Sequence, residues 1–131
     1  MVEILKKKLD MEFDEAVQHV ETIVKEEGFS VLMVKPIHMI FKEKLGVENY
    51  PRYTMICACG AKLAKAALDV SKNVGLLFPC SFVVYEEKGD TYVAHVSIMK
   101  IAPEIGLAPA DEMQPVIEMT GEMVGRAWSK L

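Results

Sequence analysis

A chain of 131 residues and 14.6 kDa is one domain's worth, able to bury about two thirds of its extended surface without disulfide or metal staples. With 51% hydrophobic and 26% charged residues, its composition is that of a soluble globular protein and excludes a disordered one. A net charge of −4 excludes the strongly basic surface that nucleic-acid binding requires.

The first segment reads as a strand, with Leu5, Leu9, Met11 and Phe13 on one side at a period of two. Lys7 interrupts that row, which points to a partly exposed strand at a sheet edge. Asp14 is placed to cap a helix whose inner face is Ala16, Val17, Val20, Ile23 and Val24, closed by Gly28. Residues 29–34 follow as a strand, and 37–44 as a short helix closed by Gly46. Residues 53–59 read as a buried strand, Gly60 as a turn and 61–71 as an alanine-rich helix. Residues 73–78 and 81–86 read as strand, interrupted by Pro79. A turn at 87–90 returns the chain into a strand over 91–98, with His95 on its more polar side. Residues 101–110, with Pro103, Gly106 and Pro109, read as a loop, and a helix runs from about Pro115 to Trp128. The tight hairpin requires antiparallel pairing. The expectation is a single α+β domain over 1–131, a two-layer, mainly antiparallel sheet with helices packed on one face.

No secretion signal is expected, because Glu3 and the run Lys6, Lys7, Lys8 leave no apolar stretch near the start. The longest uncharged stretch, 73–85, is too short to span a bilayer. An odd number of cysteines suits reduced thiols. A cytoplasmic protein is expected, with neither a membrane nor a nucleic acid as partner.

Chemistry is concentrated in few residues. On a strand, Cys57 and Cys59 project to the same face, and Cys59 directly precedes a helix start, whose free N–H groups favour a thiolate. Cys80 opens the strand 21 positions later. Three readings stand side by side: small buried hydrophobes, a reactive or redox-sensing thiol, and a soft-metal site of unknown identity. Among the histidines only His38, at the start of a short helix, is placed near a pocket; Met55, Phe78 and Met123 are the apolar candidates for its lining. No dinucleotide, phosphate-loop, zinc-protease or nucleophile-elbow motif occurs, so an enzyme is not favoured, and any cofactor is unknown.

Two blocks together resemble the DUF302 family. One is Tyr53-Thr54-Met55-Ile56-Cys57-Ala58-Cys59-Gly60-Ala61-Lys62-Leu63-Ala64, a strand ending in cysteine and opening an alanine-rich helix. The other is Val74-Gly75-Leu76-Leu77-Phe78-Pro79-Cys80, followed by a hairpin strand. The resemblance implies a compact α+β fold and a homodimer, with Cys59 and Cys80 as the family's cysteine pair and Cys57 additional. Gly60-Ala61 stands where the family commonly has Asn-Pro. The expected function is a small non-catalytic homodimeric binding module for a small ligand or a protein partner. The alternative is a cysteine-centred redox-sensing or soft-metal-binding protein.

Overall fold

The computed structural model describes residues 2–131. Five strands form one open sheet: β1 (Leu5–Leu9), β2 (Ser30–Pro36), β3 (Tyr53–Cys59), β4 (Cys80–Glu87) and β5 (Asp90–His95). Their order is β1-β5-β4-β3-β2, and every neighbouring pair is antiparallel. Five α-helices accompany them: α1 (Phe13–Glu26), α2 (Ile37–Leu45), α3 (Ala61–Val70), α4 (Ile98–Glu104) and α5 (Ala110–Lys130).

The period-two pattern of the strands decides which face is covered. Ile56, Ala58, Phe82, Val84 and Val93 point to one side and are fully buried beneath the helices. The other side carries Tyr53, Tyr85 and Tyr92, whose rings stack in a row at 5.7 Å spacing with Lys6 over the last two. Helix α1 lays Ala16, Val20 and Val24 on the covered face. Leu63 and Ala67 of α3 are buried, and small residues there let the helix approach closely.

β1 is an edge strand, and Lys7 has a further use. It lies on the covered face, opposite Val93, and reaches the C-terminal end of α5. Its Nζ donates to the Trp128 carbonyl at 2.8 Å and lies 5.7 Å from the Trp128 ring centroid. A cation there meets the negative end of the helix dipole.

Several boundaries differ from the pattern-based expectation. Glu12, not Asp14, caps α1, its carboxylate accepting from the Asp14 N–H at 2.9 Å. Residues 72–77 form a 3-10 helix rather than a strand: Ser71 Oγ accepts from the Asn73 N–H, Val74 is buried and Leu76 is exposed. Val74 and Leu77 therefore face inward at a period of three. The expected loop after residue 100 contains α4, started by Ser97 Oγ accepting from the Lys100 N–H, with Pro103 tolerated in its last turn. Helix α5 begins at Ala110, so Pro115 lies inside it.

Candidate functional site

The three thiols do not form one group. Cys59 and Cys80 line the same small cleft of about 70 Å³, walled by Leu32, Leu63, Phe78 and Met99. Cys57 lies outside it, buried on β3 with its Sγ 3.9 Å from Ser81 Oγ. All three are unpaired. Gly60 does cap α3 directly after Cys59, as the sequence suggests. The surroundings, however, are hydrocarbon, and no cationic side chain lines the cleft. Burial, with Cys59 close by, pushes the Cys80 thiol up to about 11, so it stays protonated at neutral pH. Among the described residues, no three His, Cys, Asp or Glu side chains come together as a metal-binding group.

The four residues read as pocket candidates lie in different places. His38 closes the end of the β2–β3 ladder, its Nδ1 accepting the Tyr53 N–H at 3.0 Å, and meets Phe13 edge-on. Met55 belongs to the uncovered face, paired with Lys35 and Val83. Phe78 walls the thiol cleft, and Met123 lines a separate depression with Gly28 and Arg126.

A different cleft, of about 390 Å³, opens between α5, α4, the end of β5 and β1. His95 and Thr120 line it, and both are at least 95% buried, with 5% and 3% of their surface exposed. His95 sits on the core side of β5, not on a polar face, its ring stacked on Phe82 at 4.1 Å. Its Nδ1 lies 2.8 Å from the Ser81 carbonyl oxygen. A carbonyl only accepts, so Nδ1 carries the hydrogen and the neutral ring presents Nε2 as a bare lone pair. Desolvation lowers the His95 pKa, which keeps the ring neutral. Among the described residues, His95 Nε2 and Thr120 Oγ1 are the two buried side-chain polar atoms without a hydrogen-bond partner. Both belong to this one cleft.

Helix α5 also leaves the cleft open. Gly121 and Gly125, one turn apart, line it, and a Cβ on either would meet nothing within 4 Å. Each glycine inside a helix costs about 1 kcal/mol relative to alanine. Val124, Leu5 and Trp128 add apolar wall, while Glu3 and Lys100 contribute one charge of each sign. The sequence carried a signal for this site in the Thr120, Gly121 and Gly125 spacing on the last helix. Alternation along β5 groups Thr91, Val93 and His95 on one side, as observed, but that side is the covered face and not the more polar one.

A sheet of five antiparallel strands with its helices on one face defines an α+β domain, and its candidate site is an apolar cleft lined by two residues with unpartnered polar atoms. The chain belongs to the DUF302 family, described as a domain of unknown function, whose model matches residues 5–131. It is similar in fold to the crystal structure of an uncharacterised conserved DUF302 protein from Bacillus stearothermophilus. That likeness has a TM-score of 0.84 at 19% identity and covers 97% of this chain and 96% of the other. No curated protein matches the chain. Among the described residues, no helix is long and apolar enough to cross a membrane.

Proposed function

We propose that this protein is a non-catalytic, homodimeric module that binds a small molecule in the cleft between α5 and the end of β5. One observation carries this: His95 and Thr120, whose buried Nε2 and Oγ1 have no partner, line the same cleft. Each costs about 1–3 kcal/mol while unsatisfied. Two helix glycines that could be alanines line the same space. Four destabilising choices at one place are the signature of a site maintained for a ligand. The volume, about 390 Å³, lies within the range of small-molecule sites.

A second copy of the chain is the proposed partner. Of the twelve large apolar residues that are exposed among the described residues, seven lie between positions 32 and 50, on β2, α2 and the following loop. Helix α2 has nine residues and buries none of them. A helix that short is marginal by itself in water, so it calls for cover. The three free cysteines support a reducing, cytoplasmic setting.

A thermal-shift screen of small molecules, run on the wild type and on Gly125→Leu, tests the cleft. Compounds that raise the wild-type Tm and leave the filled variant unmoved are expected. No hits, or equal shifts in both proteins, would refute a ligand site here.

A further inference from the structure

The cleft's own chemistry narrows what it takes. We infer that the ligand is a flat, uncharged aromatic molecule carrying a hydroxyl group, an inference that rests on the cleft being a ligand site. The polar demand is specific. Nδ1 of His95 is committed to the Ser81 carbonyl, so Nε2 offers only a lone pair and requires a donor from the ligand. The Thr120 hydroxyl both donates and accepts. A hydroxyl has the chemistry that both atoms lack, an O–H to donate to Nε2 and an oxygen to accept from Thr120 Oγ1.

The shape demand is equally specific. Gly121 and Gly125 stand one turn apart on α5, so a strip of bare helix backbone faces the cleft where side chains would otherwise protrude. A planar ring lies closely on such a strip; a branched aliphatic group leaves gaps against it. The Trp128 indole, on the same helix, adds an aromatic surface at the same wall. The charge demand is nil. Glu3 and Lys100 at the cleft cancel, so a charged ligand gains no net attraction and pays desolvation against Leu5 and Val124.

The experiment uses the full chain, with Trp128 fluorescence as the readout, since it is the only tryptophan. The probes are para-ethylphenol, its methyl ether and ethylbenzene. The phenol is expected to bind about tenfold more tightly than the ether, the factor that one hydrogen bond to a neutral acceptor supplies. Thr120→Val is expected to weaken the phenol several-fold with Tm maintained or raised. Gly125→Leu, checked for fold by its Tm, is expected to lose all three probes. Equal affinities for all three probes, lost in Gly125→Leu, overturn the hydroxyl requirement and leave the cleft as an apolar site. Failure of these probes, where unrelated compounds still bind in a Gly125-dependent way, overturns the aromatic class alone. Binding that Gly125→Leu does not touch overturns the location and, with it, the inference.

Discussion

Thr120 and His95 make opposite contributions to the empty and the occupied protein. A buried hydroxyl without a partner is a cost, and valine has nearly the same shape without the cost. Thr120→Val is expected to raise the unfolding free energy of the ligand-free protein by about 1–2 kcal/mol, measured by urea titration at constant m-value. A fall in stability would mean that the hydroxyl already has a partner. His95 supplies a pH dependence. Its folded pKa is lowered from 6.5 by burial, so below pH 6.5 the unfolded chain binds a proton that the native ring resists. Stability attached to His95 is therefore complete above pH 6.5 and declines as the pH falls towards the folded value. Glu3 and Lys100 line the same cleft, so the comparison has to be with His95→Phe, which retains both. The expected result is a Tm that drops below pH 6.5 more steeply in the wild type than in the variant. Cys80 belongs at this scale too. With its thiol pushed up to about 11, alkylation of Cys80 in the folded protein near pH 8 should be about two orders of magnitude slower than in the unfolded chain. Rapid labelling of native Cys80, read by mass spectrometry, would revive the redox alternative.

Helix α5 is the element on which the site is built, and its glycines carry the next prediction. Neither Gly121 nor Gly125 has a positive φ, and space surrounds both. Gly121→Ala and Gly125→Ala should each stabilise the ligand-free fold by about 0.5–1 kcal/mol, measured by thermal unfolding, while narrowing the cleft. Gly28 is different: its φ is 98° and a Cβ would meet Met123 Cε at 3.4 Å, so alanine there is strained. Elements with a long regular pattern were legible in the residues themselves: α1 through its five inward positions, β3 and the β4–β5 hairpin through alternation and the turn at Lys88-Gly89. Short segments were not. The apolar run 73–78 fits a strand and a 3-10 turn equally by composition, and only the Ser71 cap and the packing of Val74 decide between them. The nearness of Cys59 and Cys80 was legible only on the condition that β3 and β4 are neighbours, which they are, while Cys57, read with them, lies outside their cleft. The His95–Thr120 cleft was not, since the Thr120, Gly121 and Gly125 spacing does not say where α5 crosses the end of β5.

At the scale of the whole molecule, surface area speaks to assembly. The accessible surface is 7653 Å², whereas a monomer of this mass is expected to expose about 6,900 Å². The difference of about 700 Å² is close to the roughly 800 Å² that one partner contributes to a standard interface. The excess is not spread evenly. Leu45 is 71% exposed and Ile40 39%, both on α2, and Leu32 is 57% exposed at the irregular pairing of β2 with β3. Lys42 and Lys44, in the last turn of the same helix, put charge on opposite sides of it beside these apolar residues, which favours a specific contact over indiscriminate aggregation. Sedimentation equilibrium is expected to give twice the chain mass. Ile40→Asp with Leu45→Asp should shift it to the monomer, since each change places a charge in the patch proposed as the interface. These positions lie on a helix with no buried residue, so the monomer should remain folded by circular dichroism. A wild type that sediments as a monomer at all accessible concentrations would remove the second copy as partner, and α2 would then need another explanation for its exposed side chains.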